Sequence, residues 1–264
     1  MCGATAGFPA EAETWPGAAG VKLVRFVILN APRTGSNYLC TVLNSHPDIL
    51  CHHEIFNPHV VGVARHLQDT AFRIGSIEER NADPVGFLGR VWSLPLGRSH
   101  VGFKLCWRQN ETIYRFLLEK SAIRKIVLKR RNRVRTYVSL ALARQTTEWV
   151  VYDDSAKPRP RPAIQVDSRA LLDMVAFNND YYGEIEGALR NSGQSFETLY
   201  YEDLISGNGI AKALEFLGVA SGGGELRGQT WKLTDSPLPQ IIVNFDELSA
   251  ELRGTEFEQE LELA

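Results

Sequence analysis

Residues 25–43 read Arg25-Phe26-Val27-Ile28-Leu29-Asn30, then Ala31-Pro32-Arg33-Thr34-Gly35-Ser36-Asn37, then Tyr38-Leu39-Cys40-Thr41-Val42-Leu43. The first run is short, apolar and carries Val and Ile, the pattern of a buried strand. The last sets Tyr38, Leu39, Val42 and Leu43 on one helical face. Between them lies a turn of Pro, Gly and short polar side chains. A strand turning sharply into a helix leaves the first helical N–H groups without partners and adds the positive end of the helix dipole, which together make an anion cradle. Arg33 contributes a full positive charge; Thr34, Ser36 and Asn37 contribute hydrogen-bonding groups. The turn is predicted to hold a phosphate or a group of similar shape. It is not the nucleotide-kinase loop G-x-x-x-x-G-K-[S/T], because here the cation precedes the glycine by two residues and is Arg.

Outward from this turn, apolar runs and helical periodicity alternate. Strands are predicted at 49–51, 101–107, 123–129 and 196–200, and helices at 110–120, 132–145, 167–190 and 204–217. Residues 59–98 read as helices interrupted by Gly75, Pro84 and Pro95, and the last forty residues as a mostly irregular flap ending in an acidic helix or tail. Alternating strands and helices imply a single α/β domain with a central parallel β-sheet flanked by helices. Residues 1–20 read as a flexible tail and 21–264 as the domain, which includes a Pro-rich loop at 150–166 and a C-terminal segment at 220–264. The loop and that segment are candidates for a lid over substrate.

The chain has 264 residues, and 29 Lys and Arg against 31 Asp and Glu leave a net charge of -2. The molecule as a whole lacks the positive excess of a nucleic-acid binder. Cys2, Cys40, Cys51 and Cys106 are scattered without a C-x-x-C pair, which speaks for a reducing compartment rather than a disulfide framework or zinc site. No apolar stretch near the start has the length of a signal peptide or membrane anchor. The expected location is cytoplasmic, unless the chain is a fragment of something longer.

A second signal is Lys129-Arg130-Arg131-Asn132-Arg133-Val134-Arg135-Thr136-Tyr137-Val138-Ser139, directly after a predicted strand. Basic residues at a helix start oppose its dipole, so the cluster costs stability unless an anion sits among them. Arg suits phosphate because its planar fork gives paired, charge-assisted bonds. A third is Cys51-His52-His53-Glu54 at the end of a short strand, where ligands bind in open α/β sheets. Neighbouring side chains on a strand point to opposite faces, so these four do not converge on a metal. Trp107, at another strand end, is a candidate for stacking on a base or lining an acceptor site, and equally for a core or rim position.

Residues 32–39 resemble the 5′-phosphosulfate loop of sulfotransferases that use 3′-phosphoadenosine 5′-phosphosulfate (PAPS). The Arg-Thr-Gly-Ser form is similar to the carbohydrate branch and its bacterial trehalose- and nodulation-factor-type members. The resemblance implies a P-loop-like fold in which Arg33, Thr34, Gly35, Ser36, Asn37 and Tyr38 hold the 5′-phosphosulfate, with Arg33 neutralising the leaving oxygen. The segment 129–139 resembles the same family's 3′-phosphate motif, which implies Arg131, preferred over Arg130, and Ser139 as its ligands. By the same resemblance Glu54 is the first candidate for the general base and His53 the second. Residues 199–204 are similar to a structural segment of the family, with Asp203 capping a helix and Glu202 placed to pair with a basic loop. Residues 231–248 are similar to its C-terminal segment, in which Lys232 reaches the donor phosphates. The likeness spans roughly 24–58 and 100–250; the unmatched 59–98 falls where acceptors are selected.

The reaction implied is in-line transfer of a sulfuryl group from PAPS, leaving 3′,5′-ADP, to the hydroxyl of a small-molecule acceptor: a carbohydrate, a glycolipid or another hydroxyl compound. It needs no metal, no nucleic acid and no membrane span, and leaves a homodimer open, since dimers occur among relatives. Two other readings stand beside it: a P-loop-type nucleotide or small-molecule kinase, and a non-catalytic nucleotide-binding protein.

Overall fold

The computed structural model describes residues 23–153, 161–220, 224–233 and 236–262. The tail expected at 1–20 and residues 154–160 of the Pro-rich loop lie outside them. Five strands, β1 (Val24–Asn30), β2 (Ile49–His52), β3 (His100–Cys106), β4 (Arg124–Lys129) and β5 (Phe196–Tyr200), form one sheet in the order β2-β3-β1-β4-β5. Every pairing is parallel. Helix α1 (Ser36–Asn44) follows β1; α2 (Arg65–Gln68), α3 (Ile77–Ala82) and α4 (Pro84–Ser93) separate β2 from β3; α5 (Glu111–Glu119) joins β3 to β4. Helices α6 (Arg133–Thr146) and α7 (Ser168–Asn191) separate β4 from β5. Five short helices close the chain: α8 (Tyr201–Ile205), α9 (Asn208–Leu217), α10 (Leu238–Ile241), α11 (Phe245–Leu252) and α12 (Glu258–Glu262).

β1 lies at the centre, and its alternating side chains feed two cores. Val27 and Leu29 join the face covered by α4, α5 and α7, with Phe87, Trp92 and Phe116 among the buried residues. Phe26 and Ile28 join the face covered by α1 and α9, with Leu39, Leu43 and Leu214. A sheet covered on both faces is why the strands read as unbroken apolar runs. Gly102 on β3 leaves the space that the Phe26 ring fills; a Cβ there would lie 2.5 Å from the ring.

The expected central parallel sheet is present, and two segments differ from expectation. The helix foreseen over 204–217 is two helices, α8 and α9, separated at Gly207, whose φ of 87° is a left-handed conformation that ends one helix and starts the next. The C-terminal segment, expected to be mostly irregular before a closing acidic helix or tail, forms α10 and α11 ahead of the acidic α12. Leu238, Ile241, Leu248 and Leu252 bury themselves against Val138 and Leu142 of α6 in a third core. Spacing of three to seven residues between those apolar positions is helical, and short amphipathic helices gain their stability from such packing.

The strand ends are tied together by Tyr182 of α7. Its hydroxyl donates to Leu128 O (2.7 Å) and accepts from Ala31 N (2.8 Å), linking the end of β4 to the first residue after β1. Tyr182→Phe strands that buried N–H, and we expect a loss of about 1–3 kcal/mol in unfolding free energy by urea titration; an unchanged midpoint and slope would show the bridge to be dispensable.

Candidate active site

The turn after β1 closes through its own side chains. Thr34 Oγ1 donates to Ala31 O (2.9 Å) and is buried, so Thr34 fixes the turn and does not line the neighbouring cleft. Arg33 (φ 65°) and Gly35 (φ 83°) both take the left-handed conformation. At Gly35 there is a second reason for glycine: a Cβ would sit 2.3 Å from Cδ2 of Tyr201, whose ring packs on the turn. Ser36 then opens α1, whose first-turn N–H groups have no acceptor within the helix.

These groups line a first cleft together with Tyr38, Arg130, Ser139, Trp149, Tyr201 and Lys232. Arg33 Nε donates to Ser139 Oγ (2.9 Å) and its Nη1 to Trp149 O (2.5 Å). Arg130 Nη1 donates to Arg33 O (3.2 Å), and its guanidinium lies 4.6 Å from the centre of the Tyr201 ring. Burial, with the like charges of Arg130 and Arg161, brings Arg33 down to about 10, and burial also lowers Arg130. Among the described residues no carboxylate lines this cleft.

Arg131, preferred over Arg130 for the 3′-phosphate, is engaged by a carboxylate in this structure. Arg131 leaves the strand on the other side: its fork is bound by Asp203 through two bonds of 2.8 Å, its plane lies 4.1 Å from the centre of Tyr200, and it is half exposed. Asp203 thus lies inside α8 and holds an arginine rather than capping the helix. Glu202 pairs with the basic loop, accepting from the backbone N–H of Arg131 (3.1 Å) and Asn132 (3.2 Å). Glu260 of α12 accepts from Val134 N (3.1 Å) and from Arg133 Nε (2.6 Å). The anions that the basic helix start requires are therefore mostly the protein's own, and Arg130 is the cation of that run turned into the cleft.

A second cleft opens from the same turn, sharing Arg33, Ser36, Asn37, Trp149 and Val150 with the first. His53 and Glu54 reach it from the end of β2, while His52 turns into the core, where its Nδ1 accepts from Ala64 N (3.2 Å) and burial lowers it to about 3. His53 Nδ1 lies 3.1 Å from Asn37 Oδ1, which ties the imidazole to the start of α1. Trp107 lines this second cleft, with Nε1 donating to Asn178 Oδ1 (3.0 Å). Among the described residues no cluster of three or more His, Cys, Asp or Glu side chains suits a metal ion.

Lys104, a residue the sequence reading passed over, joins the two clefts. Its ammonium, almost fully buried at the centre of β3, lies 2.8 Å from Glu54 Oε1 and donates to Ser36 Oγ (3.3 Å). Glu54 Oε2 accepts from Asn57 (2.9 Å) and Gln109 (2.7 Å). The signal was present as a lone lysine in an apolar strand, since a lysine buried there requires a carboxylate. Burial pushes Glu54 up, but the charge and hydrogen bond of Lys104, with the two amides, outweigh it and hold the carboxyl at about 2.

Two clefts that meet at a shared cation and helix start suit the passage of an anionic group from one bound molecule to another. In sequence the chain is similar to nodulation protein H, and in fold to sulfotransferases of solved structure. It is 26% identical over 249 residues to nodulation protein H of Rhizobium meliloti strain 1021, covering 90% of this chain and 95% of the relative. Nodulation protein H of Rhizobium tropici is 26% identical over 247 residues, with 90% and 93% covered. Among solved structures the chain is similar to mouse sulfotransferase SULT7A1 complexed with PAP, with a TM-score of 0.44 and 13% identity over 90% of this chain and 87% of that one. It is also similar to a sulfotransferase from Alicyclobacillus acidocaldarius, with a TM-score of 0.49 and 15% identity over 90% and 94%. No protein-family model matches.

The Glu54–Lys104 pair has a consequence for acid stability. A carboxyl depressed from 4.5 to about 2 on folding stabilises the protein fully above pH 4.5, and that contribution disappears as pH falls to 2. The shift corresponds to roughly 3 kcal/mol. Urea unfolding at pH 5 and pH 2 should show this pH-dependent loss in the wild type and about 3 kcal/mol less of it in Glu54→Gln; equal losses would mean that the pair is not formed in solution.

Proposed function

We propose that the first cleft binds PAPS, the second binds the acceptor, and the sulfuryl group passes between them at the turn. The observation that supports this most is the meeting of Arg33 and Arg130 over the start of α1, beside Ser139, with no carboxylate among the described lining residues. The N–H groups of Gly35, Ser36, Asn37 and Tyr38 and the side chains of Ser36 and Asn37 face the 5′-phosphosulfate; Arg130 and Ser139 take the 3′-phosphate; Lys232 flanks the nucleotide. Thr34 keeps the turn's shape, and Arg131 anchors α8. Arg33 lies where charge develops on the leaving oxygen, and such preorganised charge is the main catalytic resource in transfers of this kind.

Glu54 takes the acceptor's proton, with His53 as the second candidate. At about 2, Glu54 is ionised but a weak base. Lys104 resolves this, because it touches Ser36 as well as Glu54. An anion held at Ser36 competes for the ammonium, relieves its grip on Glu54 and lets the carboxylate's pKa rise as the transfer proceeds. The base is thus strengthened only when donor is in place, which disfavours idle proton uptake.

The resemblance to the carbohydrate branch supports an acceptor hydroxyl on a carbohydrate-containing compound, and the free thiols of Cys40 and Cys51, which stay unjoined with their sulfurs 3.5 Å apart, support a reducing, cytoplasmic compartment. Among the described residues no helix is long and apolar enough to cross a membrane.

Calorimetry in EDTA should show 3′,5′-ADP binding far more tightly than ADP. Arg130→Ala should weaken 3′,5′-ADP by about 10- to 100-fold, the worth of a hydrogen bond to a charged group, whereas Arg131→Ala should change it less than about threefold, as expected of an exposed ion pair. Equal binding of the two nucleotides would overturn the donor assignment, and the reverse order of the variants would restore Arg131 as the phosphate ligand. Glu54→Gln should lower kcat by about 10²- to 10⁴-fold; full turnover would move the base to His53.

A further inference from the structure

Two sulfur atoms meet in the core between α1 and β2, and the proposed transfer uses neither. Cys40 and Cys51 are free thiols, both fully buried, with Sγ atoms 3.5 Å apart. Three contacts in a row join the two elements here. Asn37 Oδ1 meets His53 Nδ1 at 3.1 Å, Cys40 meets Cys51, and Asn44 holds the backbone of Cys51. Cys51 N donates to Asn44 Oδ1 (2.9 Å), and Asn44 Nδ2 donates to Cys51 O (2.6 Å). Positions 37, 40 and 44 share one helical face. The sulfurs are therefore brought together by the packing of α1 on β2, and not by mobile side chains.

The two thiols are not equivalent. Burial opposes ionisation of Cys40, but hydrogen bonds with Cys51 and His53 and the charges of His53 and Lys104 outweigh it and lower the thiol. Burial, with Cys40 beside it, raises Cys51 well above the usual range. A thiolate next to a protonated thiol is the division between an attacking sulfur and a resolving one. Cys106 differs: burial, then the charge of Glu54, push its thiol up to about 12.

We infer that Cys40 and Cys51 form a peroxide-responsive dithiol whose closure to a disulfide weakens nucleotide binding at the turn after β1. The Cys40 thiolate attacks hydrogen peroxide: an S–O bond forms, the O–O bond breaks, and the departing hydroxide takes a proton to become water. Cys51 then attacks the sulfenic acid on Cys40: the S–S bond forms, the S–O bond breaks, and the departing hydroxide leaves with the Cys51 proton as a second water. Two thiols lose two electrons, and one peroxide is reduced to two waters. Peroxide is close to water in size, and the second cleft reaches His53 and Lys104, the groups that face Cys40. A disulfide is about 2.05 Å long, so sulfurs 3.5 Å apart have to close by roughly 1.5 Å. Asn44 anchors the last turn of α1 to Cys51, so the helix tilts about that end and the first turn moves, with Ser36 and Asn37. In a reducing compartment such a disulfide is transient and reversible. The effect on nucleotide rests on the assignment of the first cleft to the donor; the crosslink itself does not.

The test is treatment of the full chain with hydrogen peroxide, followed by peptide mass spectrometry and by calorimetry with 3′,5′-ADP. The expected product is a pair of peptides joined at Cys40 and Cys51 with the loss of two hydrogens, Cys106 unmodified, and full reversal by dithiothreitol. In Cys51→Ser, dimedone should trap a sulfenic acid at Cys40; in Cys40→Ser it should trap none at Cys51. Affinity for 3′,5′-ADP should fall by about fivefold or more in the crosslinked protein, the lower end of coupling between two sites. It should return on reduction, and Cys40→Ser should keep its affinity through the peroxide treatment. Circular dichroism checks that both variants are folded. Oxidation confined to other cysteines or to methionines, or a crosslink that leaves affinity unchanged, would overturn the inference. Failure of the reduced protein to bind 3′,5′-ADP would overturn the donor assignment and with it the effect on nucleotide, while the mass spectrum still decides the crosslink.

Discussion

The division of charge at the ends of β1 and β4 governs the rest of the site. Five basic residues, Lys129, Arg130, Arg131, Arg133 and Arg135, leave β4 within seven positions. Carboxylates from α7, α8 and α12 take three of them: Glu186 pairs with Lys129, Asp203 with Arg131 and Glu260 with Arg133. Arg130 is turned the other way, towards Arg33. Two cations held close together at low exposure are expensive unless an anion compensates them, and Arg33 at about 10 remains charged at neutral pH. Neutralising the surroundings while sparing this pair concentrates the positive potential at one place, the start of α1. Elements far from the turn in sequence therefore shape the first cleft: α8 directly, through Tyr201 in its lining, and α12 from a distance, through Glu260.

The same economy appears on the other side of the turn. Lys104 is almost fully buried, and its charge survives there because Glu54 is beside it; the pair raises the lysine and lowers the acid. A buried ion pair is weak as a source of stability when compared with apolar packing, so its presence in the middle of a sheet calls for another explanation. Its position supplies one. Ser36 belongs to the turn proposed to hold the donor and Glu54 to the cleft proposed for the acceptor, and Lys104 is bonded to both. An electrostatic link between the clefts is obtained at the cost of a charge in the core.

What was legible in the sequence is what is local. The strand–turn–helix of 24–44 announces itself through period, Gly35 and Arg33, and the adjacency of the two motifs follows from the pairing of Phe26–Asn30 with Arg124–Leu128. The choice between Arg130 and Arg131 was not legible. Both leave the same strand end, and what sets them apart in the structure is Asp203, 72 residues on, which holds Arg131. The role of Thr34 was hidden for a similar reason: its hydroxyl is short enough to serve a ligand or its own turn, and only the fold shows that it bonds to Ala31. Lys104 was readable in principle, as a charge without an excuse in an apolar strand. The short C-terminal helices were obscured by their length, since four to eight residues give period little room to show; their pattern is evident once α6 and α7 are there to receive it.

Trp149 draws the two halves together. Its carbonyl accepts from Arg33, its side chain lines both clefts, and the next residues are tied across the mouth by the bond from Trp231 N to Val151 O (2.9 Å) and by the bridge between Tyr152 and Thr230. The segment therefore forms a partition whose lower edge is the Arg33 guanidinium. In-line transfer requires the attacking oxygen, the moving group and the leaving oxygen to lie on one axis. The clefts share Ser36 and Asn37 below this partition, so the axis has to pass beneath Trp149 and beside Arg33. On the proposed path the leaving side would meet Arg33 and the attacking side Glu54, with Lys104 bonded both to Glu54 and to Ser36 of the shared turn. Charge in such a transfer moves from the acceptor oxygen towards the leaving oxygen, which is where the proposal sets a cation.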